Sequence, residues 1–383
     1  MIVDFDGEIL IPNGAINNFA VVACDQFSAA PEYWNALKKQ LPPLSALDFI
    51  LPECFLSEAD ERIRDIGLAA ARAKENNRFS AYNGCVFVTR KTAYGRTRRG
   101  VVASVDLSDY DYSAGSKTLI RASERTIESR IPPRVKIREA LDIELPHILL
   151  LIDDPDDLLM SSCKAADKRT VYDGELVGNG GLIKGELITD TKDLYRAVNA
   201  VISRSAEKYG ERLFALVGDG NHSLATAKYC SIHNPTEYNG RALVEIVNIY
   251  DEGLVFEPIH RLVRVKYFSD FVRAFKANIT GKAKAVLYTP SPVSVSVPED
   301  PVEAIEKIDA FCEEYVKRNG GNIEYVHGDA ALKKIGYVGI QMRGIKKCEF
   351  FEHVIKRGVL PKKTFSLGEA EEKRYYIEAR KIK

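Results

Sequence analysis

No run in this sequence reaches the roughly 20 apolar residues that a membrane-spanning helix needs. The opening MIVDFDGEILIPNG mixes acids with apolar side chains and has no basic segment, which argues against a secretory signal and for a cytoplasmic protein. A charge surplus is missing too. Lys+Arg and Asp+Glu both number 54, so no general attraction to nucleic acid or an anionic membrane is expected. The seven cysteines form no CxxC pair and are odd in number, so they read as reduced thiols packed as small hydrophobes. No two histidines stand four residues apart, which argues against a structural zinc site. Internal repeats and low-complexity tracts are absent.

What is present is an ordinary globular composition, 45% hydrophobic and 28% charged over 383 residues, long enough for two or three domains with a sizeable core. The order of elements is mixed. An apolar strand over Phe19–Cys24 precedes a helix with Ser28 as cap and Pro31 in its first turn. Val101–Leu107 and His147–Ile152 read as buried strands, and the glycine-rich YDGELVGNGGLIKGELITD as hairpins. Pro132-Pro133 break any continuous helix, so a short one is expected after them, over Arg134–Leu141. Leu194, Val198, Val201 and Ile202 are spaced as one helical face. This predicts an α+β or mixed α/β fold, with mixed sheets and flanking helices. The expected domains are 1–115, 116–263 (central, with the turn below) and 264–383.

The stretch RLFALVGDGNHSLATAKYC holds the densest chemistry. Leu213–Val217 is an apolar strand, a helix follows, and Gly218-Asp219-Gly220-Asn221-His222-Ser223 joins them. Gly218 and Gly220 permit a sharp turn and close approach of a ligand. The first-turn amides of the helix, at Asn221, His222 and Ser223, lack intrahelical partners and attract anions. Asp219 repels phosphate, so it fits a base, an orienting partner for His222, or a metal ligand. The bland alternative is a helix cap at Asp219 or Asn221 in an ordinary turn.

Further clusters are polar. Glu124, Thr126, Arg130, Arg134 and Arg138, with Arg121, can clamp a carboxylate or phosphate, or can form a solvated helix paired to Glu128 and Glu139. His260 and Arg261 with Glu257, and Lys363 in a Lys-rich loop, are weaker candidates. Cys24-Asp25-Gln26 follows the first buried strand.

RRGVVASVDLSDYDY, SERTIESR, HILLLIDDP, GDGNHSLATAK and EPIHRLV, in that order, resemble the family known as domain of unknown function 1015, over nearly the whole chain. That family's Asp-Gly-His-His-Arg turn is in turn similar to the signature of the ParB/sulfiredoxin-like fold, in which a related turn binds nucleotide phosphates and which includes archaeal ADP-dependent free-serine kinases. The resemblance implies a ParB/sulfiredoxin-like element around the turn. Asp219 and Gly220 match its first two positions. Asn221 stands at the histidine and Ser223 at the arginine, which would leave phosphate to Lys228, Arg134 or Arg261. It implies a cytosolic phosphotransferase for a small anionic or amino-acid metabolite, a serine-like kinase or its reverse. Asp219, His222 or Glu124 would be catalytic. Mg²⁺ on Asp219, and ATP or ADP, would be the cofactors. A non-catalytic ligand-binding or regulatory protein, and a cofactor-free enzyme on an anionic metabolite, stay open.

Overall fold

A computed structural model describes residues 1–28 and 30–383. The fold is mixed α/β, with mixed sheets and flanking helices. Two compact units divide the chain, rather than the three expected segments. One comprises Met1–Leu254 with Ala370–Lys383, and the other Val255–Glu369. The expected boundary near residue 115 falls inside a single sheet, because strands on both sides of it pair with each other.

The first unit is built on a ten-stranded sheet. Its central strand Leu149–Ile152 is buried at all four positions, as a strand covered on both faces must be. The strand Thr97–Asp106 shows why two cores form. Val101, Ala103 and Val105 join one cluster, whereas Val102 joins the other, the alternation that a strand imposes. The helix Lys192–Tyr209 lays Leu194, Val198, Val201 and Ile202 on the first cluster and ends at Gly210 in the left-handed region. The Gly-rich segment forms the hairpin Lys168–Leu176 with Gly181–Ile188.

Two local expectations are corrected. The helix after the first strand spans Pro31–Gln40 as its proline suggests, but Ala30 precedes it and no side chain caps it, so Ser28 has no such role. Pro132 and Pro133 do not break a helix. They occupy the first turn of Ile131–Glu139, where a missing N–H costs nothing.

The carboxyl-terminal segment is held by buried ion pairs. Arg374 meets Glu245 at 3.1 Å and Glu378 at 2.8 Å, and Arg380 meets Glu144 at 2.9 Å. Arg90, only 1% exposed, donates to the carbonyls of Gly180, Glu371, Glu372 and Lys373. The bonds to Gly180 and Glu372 are buried and those to Glu371 and Lys373 half-buried, so one planar guanidinium serves carbonyls with little or no access to solvent.

The second unit pairs Phe256–Arg264 with three antiparallel neighbours in a six-stranded sheet. Phe271 and Phe275 on helix Phe268–Asn278, and Ile305, Ile308 and Cys312 on helix Pro301–Asn319, fill its core. All seven cysteines are free. Among the described residues no helix is long and apolar enough to cross a membrane.

Candidate functional site

Sheet direction assembles the site. The strands Ile120–Ala122 and Ala215–Asp219 run parallel, and Leu149–Ile152 runs against the second. Two carboxyl ends and one amino end therefore share an edge, the usual place for a site in an open α/β sheet. Glu124, half-buried, lies just past the first end, the glycine turn at the second, and His147 just before the third.

The turn follows the expected strand–turn–helix order, with strand Ala215–Asp219 and helix Asn221–His233. The two glycines act differently, however. Leu149 pairs with Asp219 and Leu150 with Val217, so Gly218 is the extra residue of a bulge within the strand. Gly220 alone turns the chain, with φ +79°, and a Cβ there would meet the backbone of Ile148 at 3.0 Å. Gly220 is also the N-cap position, with no side-chain cap. The bland reading of Asp219 or Asn221 as a cap thus fails. Asp219 Oδ1 accepts the Gly220 amide at 2.9 Å.

Asp219 has a second partner. Its Oδ2 lies 3.5 Å from Lys373 Nζ, with the two side chains 18% and 11% exposed. Lys373 was not visible as a candidate. It sits in the charge-rich run EAEEKRYY, and only the return of the carboxyl-terminal segment to the first unit brings it here.

His222 is held as an acceptor, its Nε2 taking the Ile127 N–H at 3.2 Å. Burial first, then the positive charges of Arg134 and Arg130, push its pKa down to about 4 against the pull of Asp25. The imidazole is neutral at pH 7, so it orients and accepts rather than paying charge to an anion. Among the described residues Asn221 Oδ1 and Thr126 Oγ1 are buried with no hydrogen-bond partner, the condition of groups that expect a ligand or water.

Behind the first turn runs a polar chain. Ser223 Oγ lies 3.4 Å from His147 Nε2, His147 Nδ1 lies 2.8 Å from the Tyr376 hydroxyl, and that hydroxyl accepts the Cys24 N–H at 3.3 Å. Burial, then Asp25, push the Cys24 thiol up to about 12, so it is no nucleophile. Ser223 and Thr226 line a cavity of about 120 Å³ with Glu53, Arg134 and several aliphatic side chains.

Other candidates are corrected. Arg138 pairs with Glu144 at 2.6 Å, and Arg380 shares that carboxylate. Although burial raises it, the two guanidinium groups hold the Glu144 carboxyl below its usual range. Arg138 is thus spent on a buried network. Arg121 is spent on Glu211 at 2.8 Å. Lys228 donates to the Leu107 carbonyl at 2.7 Å and replaces no missing arginine. His260, Arg261 and Lys363 belong to the second unit. There Arg261, fully buried, makes two 2.8 Å bonds to Asp309 and one to the Lys363 carbonyl. His260 accepts the Met342 N–H and meets Asp329, both at 3.1 Å.

Among the described residues no group of three or more His, Cys, Asp or Glu is placed to hold a metal ion. At the turn the single carboxylate already faces an ammonium, so the donor set does not fit a protein-held Mg²⁺ on Asp219.

A family model described as "Protein of unknown function (DUF1015)" matches residues 9–320. No curated protein matches. A conserved hypothetical protein from Pyrococcus furiosus is 13% identical with a TM-score of 0.39, over 73% of this chain and 95% of that one. SbnI with a C-terminal truncation, from Staphylococcus aureus, is 12% identical at 0.39, over 72% and 82%. A free serine kinase in complex with AMP is 13% identical at 0.39, over 74% and 91%. Likeness at this level assigns nothing to the site described above.

Proposed function

The chain belongs to the family of proteins of unknown function DUF1015, and we propose that it is a cytosolic phosphotransferase acting on a small amino-acid-like metabolite, with the Asp219–Ser223 turn as its centre. One observation carries the reading: a carboxylate and an ammonium, 3.5 Å apart, meet at a glycine-kinked helix N-terminus. The amides of Asn221, His222 and Ser223 and the Lys373 ammonium supply positive potential for a phosphoryl group. Asp219 accepts the proton of the attacking hydroxyl. The acceptor oxygen bonds to phosphorus, the bond from phosphorus to the leaving phosphate oxygen breaks, and the leaving group departs with its electron pair. His222, neutral, and Thr126 orient the acceptor. Glu124 is the alternative base, and Arg130 adds positive charge nearby. Lys373 takes the part that an arginine at position 223 would play in the ParB/sulfiredoxin-like turn. ATP or ADP is the proposed donor. No step here is routed through a metal.

The test is a thermal-shift series with ADP, ATP, L-serine and O-phosphoserine, each with and without Mg²⁺, followed by ³¹P detection of transfer. A nucleotide shift that Lys373→Met removes supports the reading. A shift with metabolites alone, and none with nucleotide, replaces it with a ligand-binding protein or a cofactor-free enzyme.

A further inference from the structure

The cavity behind the first turn has a composition that phosphoryl transfer does not require. Its walls are aliphatic and aromatic, with Phe49, Ile50, Leu51, Leu56 and Ile137 among them. Its volume of about 120 Å³ is close to the ~150 Å³ of an apolar cavity that takes a benzene ring. It therefore accommodates about four to six carbons and is too small for a nucleotide. Asp219 does not line it.

Four charged side chains stand in the lining: Arg138 and Glu144 pair with each other at 2.6 Å in the network shared with Arg380, and Glu53 and Arg134 form a second pair that is partly open to solvent. Glu53 and Arg134 are 18% and 15% exposed, and they meet at 2.5 Å through Glu53 Oε1 and Arg134 Nη2. Arg130 approaches the same Oε1 at 3.5 Å. Arg134 Nη1 is taken by the Arg130 carbonyl. Among the described residues this leaves Oε2 of Glu53 and Nε of Arg134 to a ligand. A simple acid would set its carboxylate against Glu53, and a simple amine would set its ammonium against Arg134. A zwitterion satisfies both, and pairing is what makes half-buried charge tolerable.

We propose that this cavity binds an apolar α-amino acid, with the carboxylate on Arg134, the ammonium on Glu53 and the branched side chain among Leu51, Leu56 and Ile137. Such a ligand has no hydroxyl to phosphorylate, so this is a second ligand site beside the turn. It goes beyond the phosphotransfer reading and stands without it.

Calorimetric titration of the intact chain tests it with L-leucine, 4-methylpentanoate, 3-methylbutylamine and L-serine. L-Leucine is expected to bind at least tenfold more tightly than each of the other three, since the first two lack one charge and the last leaves the chamber unfilled. Glu53→Gln is expected to weaken L-leucine at least tenfold while leaving 4-methylpentanoate unchanged or improved. Leu56→Trp, which fills the chamber, is expected to abolish L-leucine binding, with melting curves confirming that both variants are folded. No heat with L-leucine, equal affinity for L-leucine and 4-methylpentanoate, or equal affinity for L-leucine and L-serine would overturn the proposal. The ligand series on the unaltered chain decides the matter even if a variant misfolds. Asp219→Asn is expected to keep L-leucine binding, so loss of phosphotransfer and loss of this site read separately.

Discussion

Lys373 Nζ stands 3.5 Å from Asp219 Oδ2, and a residue of the carboxyl-terminal segment thereby faces the carboxylate of the glycine turn. Asp219 is not the helix cap, and asparagine keeps its size and its bond to the Gly220 amide, so the one structural loss is the charge that faces Lys373. Asp219→Asn should leave the melting temperature nearly unchanged and lower phosphotransfer by about 100-fold or more, the range a positioned acid–base group supplies. Turnover and a melting curve on the same preparation check this. Parent-like turnover removes the turn from the mechanism.

Gly220 gives a backbone prediction. Its left-handed φ strains any side chain, and a methyl group would press on the Ile148 backbone at 3.0 Å and force a small shift. Gly220→Ala should cost about 1–3 kcal/mol, measured by urea unfolding. Gly218→Ala, inside the strand and without a left-handed φ, should cost less.

His222 predicts a pH effect. Its folded pKa of about 4 lies below the ordinary 6.5, because burial and then Arg134 and Arg130 disfavour the cation. Between these values the unfolded chain binds the proton and the folded one does not. The stability is thus present above about pH 6.5 and is lost as pH falls toward 4. After discounting for partial exposure it is about 1–2 kcal/mol. Unfolding free energies at pH 7.5 and 5 should differ less in His222→Gln than in the parent, and an equal difference refutes the assignment.

Arg90 should matter to both stability and activity. Removing it takes the Arg90 donor from the carbonyls of Gly180, Glu371 and Lys373, while Glu372 keeps its bond from Arg98, at a cost of about 3 kcal/mol. Arg90→Met should also loosen Lys373, so nucleotide affinity should fall even at temperatures where the variant stays folded. Affinity unchanged in a folded Arg90→Met protein would separate the two.

The strand–turn–helix at the glycine turn was legible because local signals agree there. An apolar run ends at a glycine, and small or apolar residues resume at helical spacing. The bulge at Gly218 was not legible, since it depends on the register of Leu149 and Leu150 against the strand. The prolines misled because a helix interior rejects them while a first turn accepts them, and the two contexts differ only in where the helix begins. Arg134 and Arg138 look equivalent one helical turn apart. Glu53, from a distant segment, and Glu144, just beyond the helix, give them different fates. Arg261 was lost as a ligand for the same reason, through Asp309. Lys373 and Glu53 carried no local mark, because nothing near them in sequence announces their partners.

The chain leaves the first unit at Leu254 and returns to it at Ala370. During synthesis the glycine turn, its helix and the cavity walls emerge first. Lys373 and Tyr376 follow only after the whole second unit has been made. A nascent chain therefore passes through a long interval in which Asp219 lacks its ammonium, His147 lacks the Tyr376 hydroxyl, and Glu144 lacks Arg380. The order of translation makes the site a late product, without Lys373 and Tyr376 in any chain released before residue 370.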